Sequence, residues 1–139
     1  MPRSGASLIL LSLMILLLGC SAGHPVNVQL YQTDCGRTVE MEPGDTLEIV
    51  LDGNPTTGYQ WKIRPWDTAV VKEVEKEPVY QRKSDALGSG GQFTFYFEAA
   101  DTGRTTLEFI YLRPFEKDVP PIKSFNVTIV VLKDTAPAL

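Results

Sequence analysis

The side chains that most often perform catalysis are scarce in this chain of 139 residues. Its single histidine, His24, lies near the amino end, and its two cysteines are Cys20 and Cys35. With one imidazole, Ser-His and Cys-His nucleophilic pairs and multi-histidine metal sites are nearly excluded. A hydrolase using two carboxylates, such as Asp52 and Glu98, is the remaining enzyme hypothesis, and no sequence pattern brings this pair together. The residues favour a binding protein, with no catalytic residue, cofactor or metal expected.

Residue types suited to binding occur in three segments, of which the first reads Asn54-Pro55-Thr56-Thr57-Gly58-Tyr59. The Asn54 side chain can fold onto the backbone, and Pro55 fixes its own φ and biases Asn54 away from helix. The two β-branched threonines are stiff at χ1, and Gly58 allows a positive φ at the exit. The segment predicts a rigid, narrow, uncharged protrusion, with an ordinary turn as the alternative.

The second segment reads Leu87-Gly88-Ser89-Gly90-Gly91, and the third reads Arg113-Pro114-Phe115. Three glycines in four residues let the backbone approach a partner closely. A strand rather than a helix follows them, so a phosphate cradle is not expected, and a flexible hairpin is the alternative. An arginine beside an exposed aromatic side chain is typical of binding hot spots. Both segments therefore favour contact with a partner.

Strands must position these segments, because apolar and polar residues alternate with period two along most of the chain. The alternating runs cover residues 26–31, 47–51, 59–64, 70–79, 93–97, 107–112 and 125–131. Turn residues separate the runs, and no stretch has a helical apolar stripe. About seven to eight short strands predict an all-β fold, an immunoglobulin-like antiparallel β-sandwich, with all three segments assignable to one end. Arg64-Pro65-Trp66 is similar to the third segment but follows the opposite end of its strand, so we expect it to be structural.

Composition and charge are those of a single globular domain, with 43% hydrophobic and 22% charged residues. The formal net charge of -4 argues against a nucleic-acid partner, because phosphate backbones require a basic face. Two cysteines cannot form a disulfide framework or a four-thiolate zinc site. We expect a monomer with a sandwich domain over residues 26–134 and a carboxyl-terminal tail over residues 135–139.

The amino end has the features of an export signal, namely Arg3, an apolar run over residues 8–18, and small residues after it. The run is shorter than the roughly 20 residues that span a bilayer, so a transmembrane anchor or buried helix is the weaker alternative. Leu17-Leu18-Gly19-Cys20 resembles the bacterial lipoprotein signal, which implies cleavage before Cys20 and lipid on its thiol. We expect a signal peptide over residues 1–19 and a membrane tether over residues 20–25. The expected location is the cell envelope, facing the periplasm or the exterior.

Together, the three segments resemble the loop motifs of the chagasin family of papain-like cysteine protease inhibitors. The family motifs read Asn-Pro-Thr-Thr-Gly-aromatic, Gly-x-Gly-Gly, and Arg-Pro-Trp or Arg-Pro-Phe. Here they correspond in the same order to residues 54–59, 88–91 and 113–115. Trp61 and the aromatic strand after Gly91 are also similar to the family. The resemblance covers about residues 26–132 and implies an immunoglobulin-like sandwich.

The resemblance implies a reversible, non-covalent inhibitor of papain-like, cathepsin L-type proteases whose three loops enter the active-site cleft. Residues 54–59 would approach the catalytic Cys/His pair of the protease, with Thr56 and Thr57 at the tip. The second and third segments would flank this loop. Phe115, where the family more often has Trp, would pack on an aromatic wall of the protease.

Two points of this interpretation have alternatives, namely the role of Cys35 and the overall function. The thiol of Cys35 suggests a mixed disulfide with a protease thiol, but such a cysteine is more commonly a small buried or half-buried side chain. A non-inhibitory, envelope-anchored sandwich lipoprotein for adhesion or protein assembly is the alternative function, and on that view the three segments are ordinary turns.

Overall fold

A computed structural model describes residues 23–133 of the chain. The predicted signal peptide, Cys20 and the predicted carboxyl-terminal tail lie outside the described residues. Within this range the strands are β1 (Asn27–Tyr31), β2 (Thr38–Met41), β3 (Thr46–Gly53), β4 (Gln60–Ile63), β5 (Val71–Glu73), β6 (Val79–Arg82), β7 (Gly91–Ala99), β8 (Gly103–Leu112) and β9 (Lys123–Val131). Two short 3-10 helices, Gln32–Asp34 and Pro55–Thr57, lie in the connections. Between residues 23 and 133, no helix is long and apolar enough to cross a membrane.

The strands form two sheets that pack face to face. The first sheet has the order β1-β3-β7-β5, with β6 also beside β7, and the second has the order β2-β9-β8-β4. The β1–β3 and β2–β9 pairs are parallel, and the other pairs are antiparallel. The predicted all-β sandwich is confirmed. The described range has nine strands rather than seven or eight, and two parallel pairs accompany the antiparallel ones.

The strand boundaries differ from the predicted ones where the hydrophobic pattern is short or absent. β2 has only two buried residues, Val39 and Met41, which is too short a pattern to be recognised. β6 has no buried residue, so alternation does not mark it. The predicted run over residues 70–79 shortens to β5, because Val74 is exposed and the chain then leaves the sheet. The parallel pairs arise because the chain crosses from one sheet to the other between β1 and β2.

Four phenylalanines contributed by three strands form the centre of the core. Phe95 and Phe97 of β7 and Phe125 of β9 contact Phe109 of β8 edge-on, with centroid distances of 4.8, 6.1 and 6.0 Å. All four rings are buried. Such aromatic pairs contribute about 0.5–1.5 kcal/mol each beyond the area that they bury. These contacts fix the two sheets against each other and give the loops a rigid base.

The strand registers bring the three predicted segments to one end of the sandwich. Gly53 pairs with Gly91 between β3 and β7, and Gln60 pairs with Leu112 between β4 and β8. The connections that follow Gly53, precede Gly91 and follow Leu112 therefore emerge together, at what we call the loop end. We name them the central loop (residues 54–59), the glycine loop (residues 83–91) and the arginine loop (residues 113–122).

The amino-terminal segment joins the sandwich at the opposite end. The N–H of Val26 donates to Oδ1 of Asp45 at 2.8 Å, directly before β3 begins. The N–H of Leu132, just beyond β9, donates to the carbonyl oxygen of Met41 at 2.8 Å. Both ends of the described chain thus lie one full strand length from the loop end.

Arg64-Pro65-Trp66 has the structural role expected of it. The Trp66 Nε1–H donates to the carbonyl oxygen of Val71 at 2.8 Å, and the indole meets the ring of Phe97 at 5.9 Å. Arg64 forms an ion pair with Glu108 at 3.3 Å. These contacts attach the segment to the sandwich away from the loop end.

The expectation that Cys35 is buried or half-buried is wrong, since its side chain is exposed. The crossing from β1 to β2 runs over the surface, and most of its residues are exposed as a result. The N–H of Gly36 donates to the carbonyl oxygen of Asn126 at 2.8 Å, which holds this crossing against β9. Cys35 lies outside all three loops.

Candidate functional site

The central loop is held rigid by its own side chains. Oδ1 of Asn54 accepts hydrogen bonds from the Thr56 N–H at 3.1 Å and from the Thr56 hydroxyl at 2.6 Å. The Thr57 hydroxyl donates to the Asn54 carbonyl oxygen at 2.7 Å. Pro55 begins the 3-10 helix, where its missing N–H costs nothing, and Gly58 ends it with a φ of +80° that favours glycine. The residue types predicted this rigidity from the sequence.

Tyr111 of β8 supports the central loop from beneath. Its hydroxyl oxygen accepts the Asn54 N–H at 2.8 Å, and its ring is 3% exposed. The ring stacks on Tyr59 at 5.3 Å and meets Trp61 at 4.8 Å. Sequence reasoning treated Tyr111 only as an alternating strand residue, and its separation from Asn54 along the chain left no local signal of this contact.

The glycine loop is a hairpin between β6 and β7 rather than part of an unpaired connection. The Asn54 Nδ2–H donates to the Gly88 carbonyl oxygen at 3.1 Å, which joins this loop to the central loop. A Cβ atom at Gly91 would overlap the carbonyl oxygen of Gln81 on β6, so glycine is required there by close approach. Leu87, at the turn, is 98% exposed. The glycine loop therefore presents an apolar side chain on a short, closely paired hairpin.

The arginine loop contacts the other side of the central loop. The Arg113 Nε–H donates to the Thr57 carbonyl oxygen at 3.0 Å, and its guanidinium carbon lies 4.4 Å from the centre of the Tyr59 ring. The Phe115 ring lies against Gly58, where an added Cβ would be 3.0 Å from the ring. Phe115 is nevertheless 70% exposed. The structure brings residues of all three predicted segments together, with the central loop in the middle.

The tip of the site, at Thr56 and Thr57, carries no formal charge, and two ion pairs lie beside the loops. Glu116 accepts from Nη1 of Arg113 at 3.0 Å, and Lys83 pairs with Asp52 at 3.3 Å. An uncharged surface costs little to desolvate when it enters a cleft. Glu116 was not singled out from the sequence, because a lone charged residue in a loop has no distinguishing pattern.

The two carboxylates of the enzyme hypothesis lie far apart. Asp52 is opposite Gln92 on β7, and Glu98 lies at the other end of that strand, about 20 Å away at 3.3 Å per residue. Glu98 is paired with Lys72 at 3.4 Å. Over residues 23–133, no group of three or more His, Cys, Asp or Glu side chains is arranged to hold a metal ion.

Two carboxyl groups with shifted pKa values, those of Asp34 and Glu73, lie outside the three loops. Hydrogen bonding from the Tyr31 N–H, and then from Arg37, lowers the pKa of Asp34. Partial desolvation, and then the negative charge of Glu77, raises the pKa of Glu73. Neither carboxyl group belongs to the three loops, so these shifts concern the stability of the sandwich.

Fold and site together define a β-sandwich binding protein that presents three supported loops at one end. The sequence model of the family described as "Chagasin family peptidase inhibitor I42" matches residues 40–129, which include the central and glycine loops and the arginine loop. The chain belongs to this family. Members of the family are peptidase inhibitors, so the expectation of a binding protein rather than an enzyme is confirmed.

Individual relatives agree with this assignment. The chain is 30% identical over 115 residues to Amoebiasin-2 of Entamoeba histolytica, which covers 81% of this chain and 91% of the relative. It is 29% identical over 87 residues to Chagasin of Trypanosoma cruzi, covering 58% of this chain and 76% of the relative. The crystal structure of a cysteine protease inhibitor from Entamoeba histolytica superimposes with a TM-score of 0.71 at 24% identity. That match covers 78% of this chain and 98% of the other, and it shows the shared fold.

Proposed function

We propose that this domain is a reversible, non-covalent inhibitor of papain-like cysteine proteases of the cathepsin L type, whose three loops fill the active-site cleft. The proposed contact residues are those of segments 54–59, 87–91 and 113–115. The observation that carries the proposal is the fixed, uncharged tip at Thr56 and Thr57. A tip that is already ordered loses little conformational entropy on binding, which favours tight association.

The hydrogen bonds of the central loop support an inhibitor rather than a substrate. The carbonyl oxygens of Asn54, Pro55 and Thr57 each accept a hydrogen bond from within the central or arginine loop. Proteolysis requires the scissile carbonyl to turn into an oxyanion hole of the enzyme. The carbonyls of Asn54, Pro55 and Thr57 would first have to leave their internal partners, so the three peptide bonds that they begin are poorly presented for cleavage.

Two exposed apolar side chains suit the walls of a cleft on either side of the tip. Leu87 and Phe115 are the most exposed large hydrophobic residues in the described range, at 98% and 70%. Aromatic side chains in particular provide much of the energy of protein interfaces. Phe115 offers a smaller stacking surface than the Trp more common in the family. We therefore expect the choice of protease to depend on the wall that meets this ring.

The arrangement of the two ends supports the proposed membrane anchor. Val26 enters the sandwich at the end opposite the loops. A lipid on Cys20 would leave the loops facing away from the membrane, beyond strands such as the 10-residue β8, about 33 Å long. We propose that the chain is a monomeric lipoprotein of the bacterial cell envelope. Incorporation of labelled fatty acid into the chain but not into its Cys20→Ala variant tests this.

The test of the inhibitory function is a titration of the purified chain against papain and a cathepsin L-type protease, with a serine protease for comparison. We expect tight, reversible inhibition of the cysteine proteases alone, and weaker inhibition by Thr56→Ala at unchanged melting temperature. Thr102→Ala, an exposed threonine at the opposite end, is the matched control. Absence of inhibition by the folded chain at micromolar concentration would contradict the proposal and favour the adhesion or assembly alternative.

A further inference from the structure

We infer that Glu116, which lies outside the three motif segments, is a positioning residue that holds Arg113 on the central loop and thereby slows release of a bound protease. The inference rests on the proposed inhibitory function for its effect on release. The positioning itself can be measured in the free protein.

Arg113 is engaged on three sides within the chain. Its Nε–H donates to the Thr57 carbonyl oxygen at 3.0 Å, its Nη1 pairs with Glu116 at 3.0 Å, and its guanidinium lies over the ring of Tyr59 at 4.4 Å. About a third of each side chain of the ion pair is exposed, 34% for Arg113 and 31% for Glu116. Arg113 therefore acts mainly by joining the arginine loop to the central loop.

Glu116 fixes the orientation from which Arg113 reaches Thr57. A guanidinium is planar, with donors in a fixed fork, so anchoring one nitrogen on a carboxylate restricts where the others point. The Glu116 N–H also donates to the Arg113 carbonyl oxygen at 3.1 Å, which closes a turn around Pro114 and Phe115. The same turn holds the Phe115 ring against Gly58. Loss of the carboxylate frees the guanidinium of Arg113 to reorient, and the turn then keeps only its backbone hydrogen bond.

The chain contains a matched ion pair with a different environment. Arg64 and Glu108 are 3.3 Å apart, and their side chains are 54% and 43% exposed. This arginine also precedes a proline and an aromatic residue, but its segment packs away from the loop end. Removing the Glu108 carboxylate changes the net charge by the same amount as removing the Glu116 carboxylate, and it leaves the contacts of the central loop unchanged.

The first experiment measures the free chain by NMR, where the exchange of the Arg113 Nε–H with water reports its hydrogen bond to Thr57. We expect faster exchange in Glu116→Ala and unchanged exchange in Glu108→Ala. Unchanged exchange in Glu116→Ala would overturn the inference whether or not the chain inhibits any protease.

The second experiment measures association and dissociation rates with papain, using the full chain in detergent. We expect Glu116→Ala to raise the dissociation rate roughly two- to fivefold, the range that partly exposed ion pairs support, with little change in association. In an Arg113→Ala background the same change should have no further effect, and Glu116→Gln should restore part of the loss by retaining an acceptor. An equal effect of Glu116→Ala in both backgrounds would overturn the inference, because Glu116 would then contact the protease itself.

Discussion

Replacing Tyr111 by phenylalanine removes one hydroxyl group and tests whether the rigidity of the central loop matters for binding. The ring can keep its packing against Tyr59 and Trp61. The Asn54 N–H, which now donates to the hydroxyl oxygen at 2.8 Å, loses its partner. The change therefore acts on the attachment of the central loop and leaves the core intact.

The expected magnitude follows from the partial burial of this hydrogen bond. A buried donor left without a partner costs about 1–3 kcal/mol, and a partly buried one that water can reach lies near 1 kcal/mol. A loss of about 1 kcal/mol lowers the melting temperature of a domain of this size by about 4 °C. If binding must restore the same order in the loop, affinity for a protease falls by about fivefold.

The assay compares thermal unfolding and the inhibition constant for papain among the wild type, Tyr111→Phe and Tyr96→Phe. Tyr96 lies on β7 opposite Glu48 of β3, away from the central loop. We expect Tyr96→Phe to leave both quantities unchanged. Equal melting temperatures and equal affinities for the two variants would refute the role given to the Tyr111 hydroxyl. A lower melting temperature with unchanged affinity would refute only the claim that an ordered central loop strengthens protease binding.

Three further changes test other features of the sandwich. Gly91→Ala should weaken or prevent folding, measured by urea unfolding, because its Cβ would overlap the Gln81 carbonyl oxygen. Phe115→Trp should tighten papain binding by about threefold through a larger stacking surface, and weaker binding would contradict the proposed contact. Glu73→Gln should raise stability at pH 7, because desolvation and then Glu77 raise the pKa of Glu73 in the folded state. Its advantage should shrink as the pH falls through that pKa, where the native carboxyl becomes neutral, and a gain that is independent of pH would contradict this.

The fold could be predicted wherever alternation was long enough to specify a buried face. β3, β7, β8 and β9 have between eight and ten residues each, and their inward residues fill the core. β6 could not be predicted, because it lies at an edge with no buried residue and exists only through its pairing with β7. The parallel pairings of β1 and β2 could not be predicted either, because the sequence of a strand does not indicate which strand lies beside it.

The site could be predicted as three segments but not as a connected structure. Local chemistry indicated the cap at Asn54 and the stiff tip, because those bonds join residues within three positions of each other. The contacts of Tyr111 and Arg113 with the central loop span 57 and 56 positions. Such contacts depend on the register between β4 and β8, which alternation alone leaves open. The burial of Cys35 was mispredicted for a related reason, since the path of the crossing between sheets was unknown.

The two Arg-Pro-aromatic segments show why register decides function here. Arg64-Pro65-Trp66 follows β4, and Arg113-Pro114-Phe115 follows β8, which is antiparallel to β4. The two segments must therefore leave their sheet in opposite directions. The first meets the end of the sandwich, where the carbonyl oxygen of Val71 accepts the indole N–H and Trp66 packs against the core. The second meets Gly58, whose lack of a side chain lets the Phe115 ring rest on the central loop while most of its surface stays free for a partner. The same residue types thus stabilise the sandwich at one end and extend the binding surface at the other.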